Sequence, residues 1–181
     1  FWCYEGYGPD EEGLREALCT VGNGYLATRG AAPECSADGV HYPGTYAAGI
    51  YNRLRSEVVG RTVENECLVN LPNWLAVTFR IDGGPWFAVD EAELLRYRQC
   101  LDMRRAVLNR AFRYRDDAGR VTTVVQRRFV DMRFAHVCAL EVTITPENWS
   151  GRLEIRSALD GRVANTLVER YRDLASEHLE T

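Results

Sequence analysis

The sequence predicts an all-β domain, two antiparallel sheets packed face to face, on three observations. Short segments alternate between apolar and polar residues, the period of a half-buried strand. Turn chemistry separates them, as at Asp82-Gly83-Gly84-Pro85 and Asp116-Asp117-Ala118-Gly119, in the pattern of hairpins. Helical spacing is confined to the two ends of the chain. Sheets with one apolar face each bury those faces against one another.

Taken in order, the first element is a short helix. Leu14, Ala17 and Leu18 follow Asp10, which is expected to cap it. Next comes the stretch LCTVGNGYLATRG, residues 18 to 30. Its glycines lack the G-x-G-x-x-G spacing of a dinucleotide loop, and a Walker loop needs a lysine that the chain does not contain. Gly and Asn tolerate positive φ, so Gly22-Asn23-Gly24 reads as a sharp bend into a strand over Tyr25 to Thr28. Leu75, Val77, Phe79 and Ile81 share one face of a strand that turns at Asp82-Gly83-Gly84-Pro85 and returns from Trp86-Phe87. Residues 111–115 and 121–129 form a second hairpin. Cys138, Leu140, Val142 and Ile144 line one face of a strand ended by Pro146, and Leu153, Ile155, Ser157 and Leu159 repeat the pattern. Leu167, Tyr171, Leu174, Ala175 and His178 step as a closing helix. No repeat, low-complexity tract or linker interrupts the chain, so residues 1–181 read as one domain.

Composition narrows the function. A chain of 181 residues with 46% apolar residues buries a sizeable core without staples. The net charge of −4 argues against nucleic acid, which is met by a basic face. All 22 basic residues are arginine, a residue suited to bidentate pairing and stacking. The six cysteines at 3, 19, 35, 67, 100 and 138 form no C-x-x-C pair, so no metal site is expected. Their scatter reads as free thiols in a reducing compartment, with a disulfide framework as the lesser alternative. No signal-peptide pattern and no 18-residue apolar run is present. The expected location is cytoplasmic, without a membrane partner. Starting at Phe1 and stopping at Thr181, the chain reads as a piece of a longer protein.

Four residues are candidate substrate contacts. Asn23 and Arg29 flank the strand after the glycine bend, at a sheet edge or mouth. Asn73 and Trp74 sit with Asn70 and Pro72 just before the strand at 75–82. Tryptophan stacks on sugar faces and asparagine bonds hydroxyls, so this patch suits a sugar-facing loop. The plainer alternatives are an Arg29–carboxylate pair, turn caps from Asn23 and Asn73, and Trp74 in the core edge. Glu64 and Glu66 would share a strand face ~7 Å apart, inside the window for inverting glycoside hydrolysis, yet acidic surface residues are the simpler reading. His41, His136 and His178 are scattered and read as ordinary. No catalytic residue is assigned.

The run TVGNGYLATRG resembles the amino-terminal signature of glycoside hydrolase family 65, which includes maltose, trehalose, kojibiose and nigerose phosphorylases and some trehalose hydrolases. The resemblance continues in order through YPGTYAAGIYN (42–52), LVNLPNW (68–74), Leu101-Asp102 with Val107-Leu108 and Arg110, Arg128-Phe129-Val130, ITPEN (144–148), and SALDGRV (157–163) with Asn165. It covers about residues 2 to 179.

The resemblance implies an amino-terminal β-sandwich similar to galactose mutarotase, its last strands expected to be missing here, followed in such enzymes by a helical linker and an (α/α)6 barrel. The barrel carries the catalytic Glu and the phosphate site, so neither is carried onto this sequence. The implied parent is an inverting disaccharide phosphorylase or hydrolase with inorganic phosphate as co-substrate and no cofactor. This segment would be inactive alone, supporting its own downstream barrel and shaping the entrance for the disaccharide. A free-standing carbohydrate-binding module and an assembly domain forming homodimers are the competing readings.

Overall fold

A computed structural model describes residues 1–166 and 173–179. Its main element is a five-stranded antiparallel sheet in the order β1–β8–β9–β10–β11. These strands are β1 (Trp2–Glu5), β8 (Glu93–Asp102), β9 (Val107–Arg115), β10 (Val121–Val130) and β11 (Cys138–Pro146). A second layer is the antiparallel pair β7 (Val77–Ile81) and β12 (Leu153–Ser157), with Phe79 opposite Ile155. A three-stranded sheet joins β2 (Val21–Gly22), β3 (Leu26–Thr28) and β4 (Thr45–Ala47), and β5 (Tyr51–Val58) and β6 (Arg61–Leu68) make a two-stranded ribbon. Among the described residues the single α-helix, α1, spans Pro9–Leu18. The all-β sandwich read from periodicity is the fold observed.

Alternation explains the large sheet. On β9, Leu108, Arg110, Phe112 and Tyr114 are buried, and on β10, Thr122, Val124, Gln126, Arg128 and Val130 are buried, while residues 111, 113, 115, 125, 127 and 129 are exposed. The two strands pair Phe112 with Val124 and Arg110 with Gln126 across the hairpin at Asp116–Arg120. One end of this inner face is aromatic. Phe79, Phe87 and Phe112 stack ring on ring, with centroids 5.1 and 5.0 Å apart, and Tyr97, Tyr114, Val89 and Val124 complete the cluster. At the other end Leu108 and Val130 pack with Cys19 and Val21.

Several local expectations are corrected. The helix is capped by the backbone of Gly8, with Pro9 in its first turn, and Asp10 lies inside it. Proline suits that position because its missing N–H has no helical acceptor there. Leu14 is 65% and Leu18 47% exposed, while Glu12, Arg15 and Glu16 are buried, so the helix turns its charged face inward. After the turn at Asp82–Pro85 the chain does not form a return strand; Phe87 bonds back to Phe79, and β7 pairs with β12 instead. Ile155 lines a small cleft with Phe79, Val142 and Ile144 yet remains 61% exposed, because β12 pairs on one side only among the described residues. Cys3 and Cys100 face each other in register across β1 and β8 and form a disulfide; Cys19, Cys35, Cys67 and Cys138 are free. The widely spaced cysteines hid this pairing, since 97 residues separate two neighbours in the sheet. Of the expected closing helix, residues 175–179 are irregular, and Leu167 and Tyr171 lie outside the described residues.

No described helix is long and apolar enough to cross a membrane.

Candidate functional site

Charge collects where α1 and the 31–44 segment cover the middle of the large sheet. Glu16 projects inward from α1 and is fully buried. Its Oε1 accepts from His41 Nδ1 at 2.8 Å, its Oε2 accepts from the Tyr42 backbone N–H at 2.8 Å, and Arg29 lies 3.8 Å away. The helix approaches this closely because residue 30 is glycine. A Cβ there would stand 2.6 Å from the Cys19 Cβ and 3.1 Å from the Glu16 carbonyl oxygen, which accepts the Gly30 N–H.

His41 is held from both sides. The Asp38 carboxylate accepts from the backbone N–H groups of Val40 and His41, fixing the loop. His41 Nε2 then lies 3.0 Å from the Tyr7 hydroxyl and 3.2 Å from Asp90 Oδ2, and Tyr7 donates to Asp90 Oδ1. Burial alone would lower the imidazole pKa. The hydrogen bond and charge of Glu16, with Asp90 and Asp38, outweigh it and raise the pKa above its ordinary value. The Tyr7 hydroxyl is pushed up by burial and by Asp90. Asp90 and Tyr7 border an open cleft of about 630 Å³ that also meets Gly6, Leu94 and Tyr97.

A second buried group adjoins the first. Arg110 donates from both terminal nitrogens to Glu34, at 2.9 and 2.6 Å, and also to Gln126 and the Tyr97 hydroxyl. Its guanidinium lies 4.5 Å from the Phe112 ring centroid. Burial works against the Arg110 charge, and Glu34 more than restores it. Arg128 donates to the carbonyls of Arg29 and Ala31, but burial and the neighbouring Arg110 charge lower its pKa to about 10. Sequence reasoning passed over Glu16, Asp90 and Glu34 and read His41 as ordinary, because their partners are distant in sequence. A signal for Arg110, Gln126 and Arg128 was present: they fall in phase with Leu108, Phe112, Val124 and Val130 on the buried face.

The four expected substrate contacts fall in three places. Asn23 Oδ1 accepts from the N–H groups of Tyr25 and Leu26, and its Nδ2 donates to the carbonyls of Asp131 and Ala135. It closes the β2–β3 hairpin as the glycine bend requires, beside Gly24 at φ +86°. Arg29 donates to the carbonyls of Tyr42 and Gly13 and stacks on the Tyr42 ring, joining the Glu16 group. Asn73 caps its own turn through Leu75 N–H, and its backbone pairs with Asp160. Trp74 follows it, half-buried, with an indole N–H that is buried and meets no acceptor among the described residues. No hydrogen bond or ion pair among the described residues joins Asn23, Arg29 and the Asn73–Trp74 pair. Glu64 and Glu66 pair with Arg53 and Arg55 on the outside of the ribbon, an exposed charge lattice and not an acid–base pair.

Similarity to known proteins accords with the sandwich. The family model described as glycosyl hydrolase family 65, N-terminal domain, matches residues 2–181. An uncharacterized glycosyl hydrolase of Mycobacterium tuberculosis (strain H37Rv) is 59% identical over 178 residues, covering 98% of this chain and 13% of that protein. A kojibiose phosphorylase of Caldanaerobacter subterraneus subsp. tengcongensis is 35% identical over 169 residues, 93% of this chain and 21% of the relative. A trehalose 6-phosphate phosphorylase of Lactococcus lactis is 35% identical over 178 residues, 96% and 22% respectively. A solved structure of a candidate kojibiose phosphorylase from the human microbiome superposes with a TM-score of 0.79 at 18% identity, over 89% of this chain and 21% of that one; at that identity the match speaks for the fold. The chain thus spans roughly an eighth to a fifth of these relatives. With the family match running along nearly every residue, and the ordered motifs from TVGNGYLATRG to Asn165 lying on this sandwich, the chain belongs to glycosyl hydrolase family 65 as its N-terminal domain.

Proposed function

We propose that this chain is the non-catalytic domain of a disaccharide phosphorylase, supporting a downstream barrel and shaping the entrance to its active site. The observation that carries the reading is the match along residues 2–181, with kojibiose and trehalose 6-phosphate phosphorylases among the relatives. In the parent enzyme, a barrel acid would protonate the glycosidic oxygen while phosphate attacks the anomeric carbon from the opposite face, with inversion. Inorganic phosphate is then a co-substrate and no cofactor is used. A hydrolytic parent, with water in place of phosphate, is the second reading, favoured by the M. tuberculosis relative described as a glycosyl hydrolase.

Within this reading, Trp74 is the residue proposed to lean toward substrate, because its indole N–H is left without an acceptor among the described residues. Asn73, Asn23 and Arg29 spend their hydrogen bonds inside the chain, so their part is to hold the loops that face the barrel. The parent is proposed to work in the cytoplasm, where the Cys3–Cys100 pair would be kept as thiols. Alkylation on cell lysis should then count six free thiols in this segment; four would place the protein in an oxidising compartment.

The test is to express the parent protein and incubate it with trehalose, maltose, kojibiose and nigerose, with and without phosphate. Phosphate-dependent release of glucose 1-phosphate is expected. Glucose without phosphate would make the parent a hydrolase. No turnover of any, together with Trp fluorescence changes on adding oligosaccharides to this domain, would move a binding-module role to the front.

A further inference from the structure

We propose that Cys35, His41 and Asp90 form a binding site for a zinc-class divalent metal ion, closing the domain from the inside. The three side chains present one sulfur, one nitrogen and one oxygen donor within 4.8 Å of one another. Cys35 and His41 are buried, and Asp90 stands at the mouth of the cleft beside Tyr7. The expectation of no metal site rested on cysteine spacing. These donors lie at residues 35, 41 and 90, and the fold alone brings them together.

The supporting groups are arranged as zinc sites require. Glu16 accepts the Nδ1 proton of His41 and so aims Nε2 at the cluster. A carboxylate behind the imidazole is the usual support for a metal-bound histidine, fixing its tautomer and raising its basicity. Tyr7 occupies Asp90 Oδ1, which leaves Oδ2 facing His41 Nε2 at 3.2 Å. Zinc bonds of about 2.0–2.3 Å in a tetrahedral site place donor atoms roughly 3.3–3.8 Å apart. The His41–Asp90 spacing is just under this range, and the Cys35 sulfur lies within 4.8 Å of both. A water from the cleft would supply the fourth donor. A mixed thiolate, imidazole and carboxylate set favours zinc over magnesium or calcium, which take oxygen donors. On binding, the metal replaces the Cys35 thiol proton and any proton on Nε2, and both leave to solvent. The bound ion would tie the 31–44 segment and the 89–91 turn into one unit.

The experiment uses the intact protein stripped with chelator, titrated with Zn²⁺ and with Co²⁺, whose thiolate complexes absorb in the near ultraviolet. The expected result is one more equivalent of tightly bound metal in wild type than in Cys35→Ser, with a thiolate-to-cobalt band that Cys35→Ser loses. Glu16→Gln, a positioning change, should weaken binding about 10–100-fold while leaving the band in place. Equal metal content in wild type and folded Cys35→Ser, or a wild type without the band, overturns the proposal. Should Cys35→Ser fail to fold, Asp90→Asn at the exposed edge carries the same comparison, and binding equal to wild type overturns it there.

Discussion

Phe79, Phe87 and Phe112 stack ring on ring at one end of the sheet's inner face, while further along that face Arg110 and Arg128, with Glu34 and Glu16 from the segments that cover them, fill the space with charge. The two regions share a sheet, a phase and a depth of burial, and they differ in what satisfies them. The rings need area and shape, which near neighbours and a facing layer provide. The charges need partners in one geometry, and those partners are 76 residues away for Arg110 and Glu34, and 25 for His41 and Glu16. A buried ion pair is weak support for stability as a whole, but losing one member strands the other.

Breaking the charged region should give the largest effect. Arg110→Met strips the buried Glu34 carboxyl group of its partner, and is expected to cost about 3–5 kcal/mol in urea unfolding. Adding Glu34→Leu should recover most of that loss, because a buried pair replaced by apolar residues of similar size is often neutral; a double variant as unstable as the single would show that Gln126 and Tyr97 carry the dependence. The aromatic region admits no such rescue. Phe87→Ala should cost about 3 kcal/mol through lost contact and a cavity, with no recovery from any single change to Phe79 or Phe112. A surface pair gives a gentler contrast. Hydrogen bonds from Arg113 and Thr123 hold Glu147 down to about 2. Its folded pKa lies below the unfolded value, so the pair contributes above the ordinary carboxylate range and is lost as pH falls toward about 2. Carboxyl NMR should show that titration, and Arg113→Gln should move it upward. The smallest effect belongs to the ribbon tip, where Val59 has φ +50° and is followed by Gly60 at +71°. Val59→Asn should gain about 1 kcal/mol or less in stability of the β5–β6 hairpin, since asparagine accepts this turn conformation and a β-branched residue resists it.

The sequence revealed the apolar half of this domain more readily than the charged half. Period-two alternation identified β7, β11 and β12, and the turn at Asp116–Gly119 identified the β9–β10 hairpin, because both are local patterns and the sheets follow them. The helix was recognised from the spacing of Leu14, Ala17 and Leu18, but its buried side is made of Glu12, Arg15 and Glu16. Hydrophobicity cannot rank those faces when the inward one is matched by Arg29, His41 and the Gly6 carbonyl. The glycine bend at 22–24 was legible because its chemistry is local, with Asn23 bonding to Tyr25 and Leu26. The Cys3–Cys100 pair and the Tyr7–His41–Asp90 group were not, since strand order and loop path decide them.

The β5–β6 ribbon pairs only with itself among the described strands, and this gives the domain two clocks. An isolated two-stranded hairpin is marginally stable in water, so its amides need only a local opening to meet solvent. The central strands β9 and β10 each have a neighbour on both sides, and their amides wait for the whole sheet to come apart. In deuterated buffer the ribbon should therefore label well before β9 and β10. Denaturant should speed exchange of the central strands while leaving that of the ribbon nearly unchanged. The ribbon can thus come and go on its own schedule while the rest of the sandwich stays shut.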